Sequence, residues 1–131
     1  MNVLIPANVT LEPVPRDTHA PWLSARSDKW RLTNAWTLYV DGMEWTVPAG
    51  YITDLSSVPR MAWWIVPRGY GPARRASIFH DWIYSHGHRY VDKRWADAAM
   101  RAIMLEDGAP RFVAWVFHKA VRLNRGGGGW T

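Results

Sequence analysis

Hydrophobic and polar residues alternate over two short stretches in the first half of the chain, residues 36–40 and 43–47. Both stretches are rich in β-branched and aromatic residues, and Asp41-Gly42 lies between them. An Asp-Gly pair between such stretches is a strong local indication of a two-residue hairpin turn. We therefore predict a β-hairpin over residues 36–47, ended by the breaking sequence Pro48-Ala49-Gly50.

The second half of the chain changes to a helical spacing of apolar residues, which predicts helices over about 73–86, 92–107 and 110–123. Asp92 is the predicted N-cap of the second helix, whose predicted buried stripe is Trp95, Ala99, Ala102 and Ile103. The third helix has so few polar positions that we expect it to be the central core helix. Its expected core residues are Phe112, Val113, Val116, Phe117, Ala120 and Val121.

The two ends of the chain lack a clear period. Residues 1–29 contain four prolines, so we expect an extended arm with one short strand near Val9–Leu11. Residues 125–131 form a glycine-rich segment that we expect to be a flexible tail. The interpretation is a single globular domain over residues 30–124 of the α+β class, in which a hairpin or small antiparallel sheet precedes a three-helix unit.

Composition narrows the classes of function. The chain has 131 residues and no cysteine, which excludes disulfides and thiolate zinc sites. No apolar run approaches the ~20 residues of a membrane span, so no transmembrane segment is expected. Residues 60–131 hold twelve basic and five acidic residues, a net charge of +7. An anionic partner such as a phospholipid surface or a nucleic acid would suit this half, although basic helical surfaces also serve solubility.

The sequence His80-Asp81-Trp82-Ile83-Tyr84 lies in the first predicted helix. His80 and Tyr84 are four residues apart and so share a helical face. The short connection to the second helix makes the two helices antiparallel neighbours, which allows Asp97 to face His80. A carboxylate that holds one imidazole nitrogen leaves the other as a general base near neutral pH. We therefore take His80, Asp97 and Tyr84 as candidate catalytic residues.

Two further carboxylates are candidate metal ligands. Asp81 points about 100° away from His80 on the helix. Together with Asp54 from the preceding turn, it can offer oxygen ligands to a divalent cation, calcium rather than zinc. Such a cation would stabilise the oxyanion that forms when water attacks an ester.

Each of these residues also has a purely structural explanation. His80 can be a buried, hydrogen-bonded core histidine, Asp81 an exposed helix charge, and Asp54 a cap of its own turn. Tyr84 can be a core residue or a tether to Asp54. Asp97 can form ordinary surface ion pairs with neighbours on its own helix, which are Lys93, Arg94 and Arg101.

Four features follow one another in a fixed order between Val47 and Leu123. They are Val-Pro-Ala-Gly-Tyr-Ile-Thr-Asp-Leu-Ser-Ser-Val-Pro-Arg60, His-Asp-Trp-Ile-Tyr84, Ala-Asp-Ala-Ala-Met100 and a final apolar helix. In order and spacing they resemble a family of small uncharacterised proteins carried by tailed phages and prophages. The resemblance implies a phage origin, with the protein in the virion or in the cytoplasm of the infected bacterial host.

The His-Asp-X-X-Tyr helix, followed by Asp-X-Ala on a second helix, also resembles secreted and viral phospholipases A2. That resemblance implies His80 as general base, Asp81 as calcium ligand and Asp97 as the residue that orients His80. The chain departs from the pattern in having no disulfides. It also has only Gly69-Tyr70-Gly71 in place of a glycine-rich calcium loop.

The function that these observations favour is a phage-encoded accessory hydrolase, acting on an ester or lipid with or without a metal. The alternative is a non-enzymatic virion or tail component, or a factor that binds a host protein through its tryptophan-rich surface. A nucleic-acid binder rests on charge alone and would lose affinity steeply with salt.

Overall fold

The structure is a computed structural model that describes residues 1–14, 29–53, 71–87 and 89–123. In these residues, six short strands precede three helices, so the predicted α+β class is confirmed. The strands are β1 (Val3–Leu4), β2 (Leu11–Pro13), β3 (Trp30–Leu32), β4 (Trp36–Val40), β5 (Met43–Val47) and β6 (Ile52–Thr53). The helices are α1 (Gly71–Trp82), α2 (Lys93–Glu106) and α3 (Arg111–Leu123).

The β4–β5 hairpin forms two of the three strands of the first antiparallel sheet, whose strand order is β1-β4-β5. Trp36 pairs with Val47 at one end of the hairpin, and Val40 pairs with Met43 next to the turn. Asp41 and Gly42 have φ angles of 50° and 80°. Two successive positive φ angles belong to the type I′ turn, whose twist matches that of the strands on either side.

The second antiparallel sheet has the strand order β2-β3-β6. The first fourteen residues therefore contribute one strand to each sheet. Two side-chain hydrogen bonds hold this segment against the first sheet. The backbone N–H of Asn2 donates to Asp41 Oδ1 at 2.7 Å, and Trp36 Nε1 donates to the carbonyl of Ala7 at 3.1 Å.

Helix α1 does not end at Trp82 but continues as a π-helical turn over Ile83–Gly87. The wider winding of a π-turn changes the direction of the side chains that it carries, and such turns are frequent at functional sites. Gly87 packs closely on this turn, since a Cβ atom there would lie 2.8 Å from Cδ1 of Ile83 and would make that side chain shift. Tyr84 lies inside this turn.

Helix α2 has a defined cap at each end. Asp92 caps its first turn, since its side chain accepts a hydrogen bond from the backbone N–H of Trp95 at 2.8 Å. After the last turn, Gly108 has a φ of 92°, and the N–H of Ala109 donates to the carbonyl of Met104. This is the Schellman arrangement that ends many helices.

Helix α2 packs against both α1 and α3, so α2 is the central helix. The prediction that α3 occupies this position was wrong, and Phe112 is 63% exposed instead of buried. Only one side of α3 is covered, and the residues buried there are Val113, Ala114, Phe117, Ala120 and Val121. In α2, Ala99 and Ile103 are buried as expected, whereas Trp95 and Ala102 are half-buried.

No helix among the described residues combines the length and the hydropathy that a bilayer crossing requires.

Candidate active site

The side chain of Asp97 is the centre of the candidate site. It lies on α2 and is 0% exposed. Within the described residues its carboxylate accepts hydrogen bonds from His80, Tyr84, Lys93 and Arg122. These donors come from all three helices, so one buried carboxylate joins the whole helical unit.

Oδ1 of Asp97 binds the two residues of the His-Asp-X-X-Tyr sequence. His80 Nε2 lies 2.7 Å from this oxygen, and the Tyr84 hydroxyl donates to it at 2.8 Å. The two rings are also in contact, with their centroids 4.1 Å apart. The structure thus brings together the three candidate catalytic residues, with His80 itself only 5% exposed.

Oδ2 of Asp97 binds two cations. Lys93 Nζ donates to it at 2.8 Å, and Arg122 Nη1 donates at 3.2 Å. Lys93 Nζ also donates to the carbonyl of Val121 at 2.6 Å, near the end of α3. The alternative that Asp97 forms only surface ion pairs was wrong, because the carboxylate has no contact with solvent.

The hydrogen bonds decide the charge of Asp97. Burial alone would raise the pKa of this carboxyl group. The hydrogen bonds from His80, Lys93 and Tyr84 outweigh burial and lower the pKa to about 2. Asp97 is therefore an anion at neutral pH.

The anionic state of Asp97 determines where the His80 ring carries its proton. An ionised carboxylate can only accept hydrogen bonds, so His80 Nε2 must be the donor in the 2.7 Å contact. In the neutral ring this assignment leaves the lone pair on Nδ1. Nδ1 is then the nitrogen that can accept a proton from another molecule.

Tyr84 has a different chemical character. Burial, and then its hydrogen bond to Asp97, raise the pKa of the Tyr84 hydroxyl far above its ordinary value. The phenol therefore keeps its proton and acts as a fixed donor to Asp97. This geometry favours a positioning role for Tyr84.

A cleft of about 340 Å³ adjoins the cluster, at the end of α1 next to the second sheet. Two of its lining residues are Asp81, which directly follows His80, and Tyr84, which lies about one helical turn after His80. Its described lining residues are Lys29, Tyr51, Ile52, Thr53, Asp81, Tyr84 and Ser85.

Only one of the two predicted cation ligands lies among the residues that the structure describes. Asp81 lines the cleft, whereas Asp54 lies outside the described residues. In residues 1–14, 29–53, 71–87 and 89–123, no group of three or more His, Asp or Glu side chains could hold a metal ion. A calcium site at Asp81 and Asp54 stays a prediction.

Sequence reasoning missed the role of two cations. Lys93 was expected only at the surface, and Arg122 was not considered. The spacing of Lys93 four residues before Asp97 is a weak indication of contact. Arg122 gives no such indication, because its contact with Asp97 depends on how α3 packs against α2.

Residues 30–121 match the model of a protein family that is described as "Protein of unknown function (DUF1353)". The chain belongs to this family. The matched residues contain His80, Tyr84, Lys93 and Asp97, whereas Arg122 lies one position beyond them. No curated protein and no solved structure matches the chain.

Proposed function

We propose that this DUF1353 protein is a hydrolase in which His80 is the general base and Asp97 positions it. The observation that carries the proposal is the 2.7 Å contact between His80 Nε2 and a fully buried, ionised carboxylate. Buried charge clusters are a weak means of stabilising a fold, since apolar residues of similar volume often serve as well. A histidine held in one tautomer is what general-base catalysis requires.

The reaction proposed is the hydrolysis of an ester. The oxygen of a water molecule bonds to the carbonyl carbon while His80 Nδ1 takes one proton of that water. Asp97 stabilises the imidazolium that results. The bond between the carbonyl carbon and the alcohol oxygen then breaks, and the alcohol oxygen takes the proton from Nδ1. The products are a carboxylic acid and an alcohol, and His80 returns to its starting state.

The cleft beside Tyr84 is the proposed route for the substrate. Its volume of about 340 Å³ suits one small acyl or alcohol group. Lys29 and Asp81 give its lining one charged side chain of each sign. Tyr84 lines this cleft and its ring contacts the His80 imidazole, so the proposal requires the ester carbonyl to pass Tyr84 to reach His80.

The direct experiment measures hydrolysis of p-nitrophenyl acetate and p-nitrophenyl butyrate by the full chain. His80→Gln should lower the rate by about 100-fold or more, the usual contribution of a general base. His86→Gln is the matched control, because His86 is an exposed histidine on the following turn. It should leave the rate unchanged.

His80→Gln is chosen because the glutamine amide can still donate a hydrogen bond to Asp97. A melting temperature close to that of the wild type would show that lost activity is not lost folding. Wild-type hydrolysis no faster than that of His80→Gln with both esters would contradict the proposal. The non-enzymatic virion or host-binding role would then be the better interpretation.

Calcium at Asp81 remains a separate proposal, and the step written above does not use it. The test is thermal unfolding after chelation, followed by addition of calcium, magnesium or zinc. At a hundred times its dissociation constant, calcium should add about 2.7 kcal/mol to the free energy of unfolding. Asp81→Asn should abolish this gain, whereas the exposed Glu44→Gln should not. The same melting curve with and without all three metals would remove the proposal.

The phage origin is also a proposal, supported by the resemblance of the motifs between Val47 and Leu123. If it holds, mass spectrometry of purified virions separates the two locations. An accessory enzyme that acts in the infected cell should be absent from the particles, whereas a virion component should be present in fixed copy number.

A further inference from the structure

The outer face of α3 exposes large apolar side chains. We define this face by Phe112, Trp115, Lys119 and Leu123. Phe112, Trp115 and Leu123 are 63%, 47% and 67% exposed. Single exposed apolar residues are common on protein surfaces, but these recur at positions i, i+3 and i+11 and so lie along one side of the helix.

The same helix is basic and has no acidic residue. Arg111 and Lys119 are exposed beside the apolar side chains. Lys119 Nζ lies 5.9 Å from the centroid of the Trp115 ring. A third cation, Arg122, is shared with Asp97. Nothing on α3 therefore offsets the positive charge of its outer face.

The core does not require this face to be apolar. The opposite side of α3 already supplies its contribution to the core, with Val113 and Phe117 buried against the rest of the domain. Leaving apolar surface in water costs free energy. The exposed side chains of Phe112, Trp115 and Leu123 carry this cost when the outer face has no partner. This composition indicates a partner with an apolar layer that the large side chains can enter and anionic groups that the neighbouring cations can contact.

We propose that the outer face of α3 docks on an anionic lipid bilayer, with the helix axis parallel to the membrane surface. Aromatic and leucine side chains enter the boundary between headgroups and acyl chains, while Lys and Arg remain at the anionic headgroups. Helix α3 has 13 residues and is about 20 Å long, so it lies on the bilayer and does not cross it. A protein partner would need its own complementary acidic, apolar groove, whereas an anionic bilayer offers both properties over any area.

The test is co-sedimentation of the full chain with large vesicles of phosphatidylcholine, or of phosphatidylcholine and phosphatidylglycerol in equal amounts. The protein should bind the phosphatidylglycerol vesicles more tightly, and this binding should weaken as salt is raised. The double variant Phe112→Ser/Trp115→Ser should bind about tenfold or more weakly, because two apolar insertions are lost. Lys119→Glu should also weaken binding.

The matched control is Tyr90→Ser, which removes an aromatic side chain that is 76% exposed and lies outside α3. Its binding should equal that of the wild type. The double variant should melt at the wild-type temperature, because both side chains lie outside the core.

Three outcomes would overturn the proposal. The first is no binding of the wild type to the phosphatidylglycerol vesicles, and the second is equal binding by the double variant. The third is a dimer in gel filtration that the double variant dissociates, which would show that the face joins two copies of the chain. None of these outcomes bears on ester hydrolysis, since His80 and the outer face are tested with different variants.

Discussion

The two oxygens of the Asp97 carboxylate meet different kinds of donor. Oδ1 accepts from the imidazole of His80 and the phenol of Tyr84, whereas Oδ2 accepts from the cations Lys93 and Arg122. Hydrogen bonds on both sides, from His80, Lys93 and Tyr84, keep the buried carboxylate ionised. The ionised carboxylate then holds one nitrogen of His80. Both sides of Asp97 thus stabilise its charge, and the Oδ1 side also uses that charge to orient a base.

A second comparison concerns the two helices on either side of α2. Helix α1 turns polar groups inward to Asp97 and is otherwise buried on that side. Helix α3 sends Arg122 to the same carboxylate but leaves Phe112 and Trp115 outside. The proposed base and the proposed docking face therefore lie on different helices, so each can be changed without the other.

The largest expected effect is that of Asp97→Asn. The change leaves Lys93 and Arg122 facing an amide instead of an anion, so the free energy of unfolding should fall by about 3 kcal/mol. Ester hydrolysis should fall at least as far as in His80→Gln. Chemical denaturation measures the first effect, and a stability equal to that of the wild type would mean that the charge of Asp97 does not hold the helices together.

Acid should remove the same contribution from the wild type. The pKa of Asp97 is lowered from its usual value near 3.8 to about 2. The stability that it supplies is therefore complete above pH 4 and is lost as the pH falls through 2. The difference in unfolding free energy between wild type and Asp97→Asn should shrink by about 2 kcal/mol over this range. A constant difference from pH 4 to pH 2 would contradict the lowered pKa.

Lys93→Met tests the side of Asp97 that faces the cations. It removes the bonds to Asp97 and to the Val121 carbonyl, so it should cost about 1.5–2 kcal/mol of stability. Hydrolysis should fall less than tenfold, because the hydrogen bonds from His80 and Tyr84 remain to keep Asp97 ionised. If activity falls as far as in His80→Gln, the two oxygens do not have the separate roles assigned to them.

Tyr84→Phe tests the other side and should have the smallest effect. One hydrogen bond to a charged group is lost while the ring and the other donors to Asp97 are kept, so the cost in stability should be about 1.5 kcal/mol. Hydrolysis should fall only a few-fold, since Tyr84 orients Asp97 and does not transfer a proton. A loss as large as that in His80→Gln would make Tyr84 a catalytic residue.

Local signals in the sequence account for much of the fold. Asp41-Gly42 defines the hairpin turn, and Asp92 and Gly108 mark the ends of α2, because turns and caps depend on a few adjacent residues. The apparent apolar character of α3 was misleading. Periodicity shows that a helix has apolar faces but does not show which of them another element covers.

The candidate site was predictable in part. The spacing of His80 and Tyr84, and a short connection to α2, were enough to suggest Asp97 as a partner. The burial of Asp97 and the contact with Arg122 could not be foreseen, because both depend on the packing of α3 against α2. The π-turn at Ile83–Gly87 left no trace in the periodicity of the sequence. Asp54, the other proposed cation ligand, lies outside the described residues.

The central claim is that Asp97 presents His80 with its proton on Nε2 and its lone pair on Nδ1. Nitrogen-15 NMR of the histidine rings, with His80→Gln used for assignment, reads this tautomer directly and needs no substrate. We predict that in the neutral ring Nε2 carries the proton, and that Asp97→Asn removes the strong preference for this form. A proton on Nδ1 in the wild type would contradict the claim, because the nitrogen assigned as the base could not then accept a proton.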